Sequence, residues 1–264
     1  MRHTAKRLIK FLIGILFIAQ ITLGCATDST VATPTPTPQV PITWNNASLR
    51  ILFIGNSLTY FNNLPGLVEM IGQEAGMSVS THSFTAANYS LEDHWANGTG
   101  DKIIKAAPTL VIMQQGPSSL PENQIHLQFW ATKFSQVIRA AGAEPAMLMV
   151  WPGANRAFAF PDVYDSYRNA AIAIDGRFFP AGEAFRRAYV DHGLKPYGPD
   201  NFHPSTLGSI ITALTILRTL NPDVLTGLPG EISSDDSRVP AMDLQHRKEI
   251  VFNLVDAVVQ EHGF

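Results

Sequence analysis

Three short, unbroken apolar runs constrain this fold more than any other feature of the chain. They are Arg50–Gly55 (RILFIG), Thr109–Gln114 (TLVIMQ) and Ala146–Val150 (AMLMV). Each is too short for a core helix, and none has a polar face to leave in water. Segments of this kind are satisfied as strands buried on both sides, the signature of a parallel sheet with helices on its two faces. The intervening segments carry apolar residues at helical spacing, over 64–76, 101–107, 124–141, 161–174, 181–192, 205–220 and 243–261. Met77–Phe84 alternates like a strand, and Arg177–Pro180 reads as a short one. Gly76, Gly142 and Gly193 stand where helices end. Asp243 is placed to cap the last helix. Strand–helix alternation through one region, with no internal repeat, predicts a single α/β domain, a three-layer sandwich around a parallel sheet of about five strands. With 45% apolar and 16% charged residues, the chain has ample material for such a core.

The first 45 residues read differently. Arg2, Lys6, Arg7 and Lys10 precede an apolar run of 13 residues, Phe11–Leu23. As a helix that run spans roughly 20 Å, short of the ~30 Å hydrocarbon core of a bilayer. A basic start, a short apolar stretch and small residues at its end describe an export signal. Thr22-Leu23-Gly24-Cys25 resembles the lipobox of bacterial lipoproteins, which are cleaved before the Cys and lipidated on its thiol. Thr22 stands where that motif usually has Leu. Cys25 is the single cysteine of the chain, so no intrachain disulfide can form. Residues 26–43, rich in alternating Thr-Pro, favour extended polyproline II and cannot pack a core. The expected organisation is a lipoprotein signal peptide over 1–24, a tether over 25–45 from a lipidated Cys25, and a folded domain over 46–264. That places the domain in a bacterial cell envelope, held to a membrane by lipid.

Charge agrees with that division. The chain has 19 basic and 22 acidic residues, a net −3; without the four basic residues of the first ten, 15 face 22, a net −7. No basic excess and no nucleic-acid motif points to DNA or RNA as a partner.

In open α/β sheets ligands bind beyond the carboxyl ends of the strands. After the first strand comes Gly55-Asn56-Ser57-Leu58-Thr59. Ser57 there is either a helix cap or a nucleophile whose oxyanion the adjacent N–H groups stabilise. A nucleophilic Ser needs a base and an acceptor to orient it. Of eight His residues, His203 alone lies in a turn-rich loop immediately before a strong amphipathic helix, in Asp200-Asn201-Phe202-His203-Pro204-Ser205. Three residues upstream, Asp200 is within reach of its Nδ1–H. A capped loop with no catalytic part explains the same residues.

Taken together, Gly55-Asn56-Ser57-Leu58-Thr59 and Asp200-x-x-His203-Pro204-Ser205, followed by Gly208 in an apolar helix, resemble the SGNH (GDSL-like) hydrolase superfamily over residues 50–220. The resemblance implies a flavodoxin-like fold, with Ser57 as nucleophile, His203 as base and Asp200 as orienting acid. It implies an acyl-enzyme esterase that needs no cofactor or metal. Ala86–Trp95 is similar to the Gly-Gly-x-x-Leu-x-x-His-Trp stretch of one branch, which puts Asn88 at an oxyanion-hole glycine. Asn tolerates positive φ better than most residues. The third block lacks its usual Asn; Gln114-Gln115-Gly116 stands there, with Gln114 slightly preferred over Gln115 as donor. The expected oxyanion hole is therefore Ser57, Asn88 and Gln114.

Trp151 and Arg156 follow the fourth strand, where Trp151 could stack on a sugar ring and Arg156 could meet a carboxylate; a packed loop Trp explains the segment equally. The superfamily includes deacetylases of glycans, lipases, thioesterases and arylesterases. The expected substrate is a carboxylic ester, with acetylated glycans among the candidates. A catalytically idle glycan-binding lipoprotein on the same fold is the competing reading.

Overall fold

The computed structural model describes residues 42–264; the signal segment, Cys25 and the tether up to residue 41 lie outside the described residues. Element order is β1 (Leu49–Gly55), α1 (Ser57–Tyr60), α2 (Leu64–Glu74), β2 (Val79–Thr85), α3 (Leu91–Ala96), α4 (Thr99–Ala106), β3 (Leu110–Met113), α5 (Pro121–Ala140), β4 (Glu144–Leu148), α6 (Phe160–Ala173), β5 (Arg177–Phe179), α7 (Ala181–Arg186), α8 (Thr206–Leu220), β6 (Glu231–Ile232), β7 (Met242–Asp243) and α9 (Lys248–His262). Single turns of 3-10 or π helix punctuate the connections, as at Phe61–Asn63 and Arg187–Asp191.

Five parallel strands form one sheet in the order β2-β1-β3-β4-β5. The apolar runs sit in it because successive side chains face opposite layers. Ile51 and Phe53 pack with Leu67, Val68 and Ile71 of α2, Ile211 and Leu214 of α8, and Val255 of α9. Leu52 and Ile54, one residue out of phase, pack with Leu91 of α3, Leu127 and Phe134 of α5, and Val163 and Tyr167 of α6. Burial of both phases accounts for the lack of a polar residue in the run. Each such fully buried large side chain contributes about 1.5–3 kcal/mol of transfer free energy.

The parallel sheet matches the expected class, and three local differences have physical causes. Helix α3 was not expected as an element; a capping box makes so short a helix viable, with Ser90 Oγ accepting from Asp93 N and the Asp93 carboxylate accepting from Ser90 N. Asp243 does not cap the last helix. It lies in β7, paired with Glu231 of β6, and α9 starts only at Lys248, with no side-chain cap. The domain also extends upstream of Asn46: Trp44 packs on the core and donates from Nε1 to Ala106 O at 2.6 Å, while Thr43 O meets His82 Nε2 at 2.8 Å.

Because β1 is flanked by β2 on one side and β3 on the other, the chain reverses its direction of travel across the sheet there. This is the topological switch point, where the loops after β1 and β3 diverge and leave a crevice.

Candidate active site

The loop after β1 is shaped by what lies beneath it. A Cβ on Gly55 would sit 2.3 Å from Gln114 Oε1 and 2.5 Å from Thr59 Oγ1, so only glycine lets those groups close under the turn. Gln114 Oε1 accepts from Asn56 N (3.0 Å) and Thr59 Oγ1 (2.7 Å), while its Nε2 donates to Asn56 Oδ1 (2.9 Å) and to Gln115 O. Asn56 caps α1 by accepting from Leu58 N (3.1 Å) and donates from Nδ2 to Tyr89 O (3.0 Å). The amide thus ties the turn after β1 to the 86–90 loop, a bond that a carboxylate could not donate. Ser57 opens α1, where a backbone N–H has no acceptor within its own helix.

The Ala86–Tyr89 turn is closed by Tyr89 N donating to Ala86 O at 3.3 Å, and Asn88 holds φ 61° inside it. His94 secures the turn from below. Its Nε2 lies 2.8 Å from Gly55 O, and its ring meets Tyr89 edge-on. Burial holds the His94 imidazole below its ordinary pKa, against the opposing pull of the Gly55 carbonyl, so a neutral ring donates that bond.

The loop that carries His203 is fixed at three consecutive carbonyls. Asn201 O accepts from Ala154 N (2.9 Å), Phe202 O from Trp151 Nε1 (3.0 Å) and His203 O from Gly198 N (2.7 Å). Asp200 Oδ1 accepts from Phe202 N (3.1 Å) and His203 N (2.9 Å), a short Asx-type turn. Its other oxygen, Oδ2, lies 2.5 Å from His203 Nδ1. The bond to His203 and the two backbone N–H groups hold the Asp200 carboxyl down at about 2. An ionised carboxylate only accepts, so Nδ1 carries the proton and Nε2 the lone pair. That Nε2 stands 2.9 Å from Ser57 Oγ. Phe61 stacks on the imidazole at 4.1 Å between centroids and 14° between planes, and Phe202 meets it edge-on. Phe61 remains 37% exposed, so its place follows from the imidazole rather than from the core.

Ser57, Asn88, Gln115, Ser118, Asn123, His126 and Phe202 are among the residues lining a cleft of about 420 Å³ at the switch point. A larger hollow of about 800 Å³ runs along α2, the outer edge of β2 and the 233–239 loop, but it holds none of the Ser, His and Asp of this array. Among the described residues no cluster of three or more His, Cys, Asp or Glu is placed to hold a metal ion.

Three expected site residues are placed elsewhere. Gln114 is buried under the turn with both amide protons donated, so it has none to offer an oxyanion; Gln115, the next residue, is the one that lines the cleft. Trp151 is 1% exposed and stacks on Phe185 at 3.8 Å, which rules out a sugar platform; its role is to hold the Phe202 carbonyl. Arg156 is exposed and reaches Ser119 Oγ at 3.2 Å, beside the cleft rather than in its lining. Tyr167 was missed altogether. Its buried hydroxyl contacts Gln115 N (3.1 Å), Gln115 O (2.8 Å) and Gly116 O (2.8 Å), fixing the loop after β3, and burial pushes its pKa far up.

The five-stranded parallel sheet in this order recurs in solved structures. The chain is similar to a Slackia heliotrinireducens protein assigned to the SGNH hydrolases, at 23% identity and TM-score 0.55, over 66% of this chain and 99% of that one. It is similar to a DUF4886 family protein from Bacteroides uniformis, at 16% identity and TM-score 0.65, over 80% and 95%. A catalytic mutant of Axe2, an acetylxylan esterase from Geobacillus stearothermophilus, matches at 16% identity and TM-score 0.51, over 65% and 94%. No family model and no curated protein sequence matches the chain.

Proposed function

We propose that this protein is a serine esterase that hydrolyses short-chain carboxylic esters, with acetyl groups on glycans as its substrate class. The observation that carries the reading is His203, whose Nε2 lies 2.9 Å from Ser57 Oγ while its Nδ1 lies 2.5 Å from the Asp200 carboxylate. In this reading Ser57 Oγ attacks the ester carbonyl carbon as His203 Nε2 takes its proton. Asp200 keeps the required tautomer and stabilises the imidazolium. The face of Phe61 adds cation–π attraction to that cation. The Ser57 N–H at the start of α1 and the Asn88 N–H of the left-handed turn receive the oxyanion. Collapse of the tetrahedral intermediate expels the alcohol, protonated by His203. Water, activated by the same Nε2, then attacks the acyl-enzyme and releases the carboxylic acid and free Ser57.

Support for a short acyl group comes from the cleft, whose lining is mostly amide, hydroxyl and imidazole, with Leu58, Pro117 and Phe202 as its apolar side chains. A long acyl chain needs a continuous apolar groove. Attachment to a membrane through a lipid on Cys25 belongs to the same proposal and rests on the sequence pattern.

The test is hydrolysis of p-nitrophenyl acetate together with labelling by a fluorophosphonate. The wild type should turn over and label, and Ser57→Ala should lose about 10³-fold or more in kcat/KM with an unchanged fold. Activity that survives Ser57→Ala would sink the esterase reading. A folded wild type that neither labels nor turns over would favour an idle binding protein.

A further inference from the structure

Beyond the triad the cleft is lined by a second His, His126, whose carboxylate partner Glu92 stands just behind the lining. His126 of α5 places Nε2 2.9 Å from Glu92 Oε2 of α3, and its Nδ1 faces Gln115 Nε2 at 3.5 Å. Both partners of the pair are partly open to solvent. Gln115 is itself held from both ends: its Oε1 accepts from Leu91 N (3.2 Å) and its Nε2 donates to Ser118 Oγ (2.9 Å). Ser118 in turn donates to Gly116 O at 3.1 Å and is kept at φ 54°, a conformation a buried non-glycine residue adopts only when its surroundings impose it. With Asn123 and Ser90, these side chains form a wall of fixed donors and acceptors in the same cleft as Ser57. None of them takes part in the chemistry described above, and an inter-helix tie between α3 and α5 needs neither Gln115 nor a strained Ser118.

We infer that His126 and Glu92, with Gln115, Ser118 and Asn123, form a subsite that binds the alcohol portion of the ester through its free hydroxyl groups. The inference rests on the esterase reading and assigns the residues that would hold the sugar beside the acetyl group. The pair offers a carboxylate and an imidazole side by side to one hydroxyl pattern. A polar wall of this kind favours a polyhydroxylated alcohol, because a substrate lacking the hydroxyls displaces water from these polar groups and gives no hydrogen bond in return. A cleft of about 420 Å³ accommodates one pyranose ring and an acetyl group.

The experiment compares two acetate esters of similar ring size, methyl 6-O-acetyl-glucopyranoside and cyclohexyl acetate, on the wild-type protein, Glu92→Gln, His126→Ala and His126→Gln. The wild type should prefer the sugar ester by about tenfold or more in kcat/KM, the range of one or two hydrogen bonds. Glu92→Gln and His126→Ala should each cut that preference about tenfold, chiefly through KM for the sugar ester. His126→Gln, which keeps an amide donor and acceptor near the same place, should restore part of it. Equal turnover of the two esters by the wild type, or a preference unchanged in His126→Ala, overturns the subsite. If Ser57 labels with the fluorophosphonate but neither ester is hydrolysed, the subsite falls while the triad stands. Hydrolysis that persists in Ser57→Ala removes the esterase reading itself.

Discussion

Asn62 Nδ2 donates to Pro204 O at 3.0 Å, binding the turn after α1 to the residue that follows His203. The same amide also reaches Ser209 Oγ of α8 at 2.9 Å. Asn62 does this at φ 51°, and Asn63 beside it stands at φ 48°. Two consecutive left-handed residues mark a turn shaped by its contacts rather than by local preference. Asn62 is thus a positioning residue for the distance between Ser57 and His203.

Asn62→Gly separates the amide from the backbone, since glycine takes the left-handed conformation freely. The variant should stay folded and show a kcat lower by about tenfold with KM little changed, as expected when an alignment is lost rather than a binding contact. A fall in KM affinity alone, with kcat intact, would contradict the positioning role. Steady-state kinetics beside a thermal melt decides it.

Asp200→Asn should reduce kcat by about 10³–10⁴-fold, because an amide can leave His203 in the wrong tautomer. The same variant has a stability signature. The folded-state carboxyl sits at about 2, below its ordinary 3.8, so its contribution is fully present above about pH 4 and fades as pH falls through 2. Since the side chain is half exposed, the effect is small. Melting temperatures of wild type and Asp200→Asn should differ at pH 5 and converge toward pH 2; a gap that widens on acidification would refute the assignment.

Tyr167→Phe deletes one buried hydroxyl and leaves Gln115 N, Gln115 O and Gly116 O without it. Gln115 O keeps Gln114 Nε2 and Gly116 O keeps Ser118 Oγ, so the cost, about 1–3 kcal/mol in urea unfolding, falls on the buried Gln115 N–H. The loop after β3 should loosen with it, raising KM for a sugar ester more than for p-nitrophenyl acetate. A variant as stable as the wild type would mean that water replaces the hydroxyl.

Asn56→Asp tests why the residue before the nucleophile is an amide. Asp keeps the bonds from Leu58 N and Gln114 Nε2 but turns a second carboxylate oxygen toward Tyr89 O. Burying that charge against a carbonyl should lower both stability and kcat, since the 86–90 turn that carries Asn88 is pushed away. Recovery of kcat as the pH is lowered, where the carboxyl regains a proton to donate, would single out the Tyr89 contact as the cause.

Much of the fold is legible in the sequence because the strands are buried on both faces, so Ile51 through Ile54 had to be uninterrupted. Ser57, Asp200 and His203 stand out because two short segments carry them, each next to turn residues and a helix start. What stays hidden depends on partners remote in sequence. Gln114 reads as a free amide until the Asn56 turn is folded over it, 58 positions away. Trp151 reads as a surface stacker until Phe185 is seen to cover it. Asp243 looks like a cap because nothing local reveals its pairing with Glu231. Tyr167 gives no signal at all: its periodicity is that of any core residue on α6, and its hydroxyl acquires meaning only from the loop it meets.

Ser57 and His203 lie 146 positions apart, one on the first strand's exit and the other ahead of α8. Their 2.9 Å approach depends on the sheet and α8 being in place, and the Asn62 bridge tightens it. On the esterase reading, ester turnover is a cooperative reporter of complete folding, and during denaturation it should vanish with or before the loss of secondary structure, never after it.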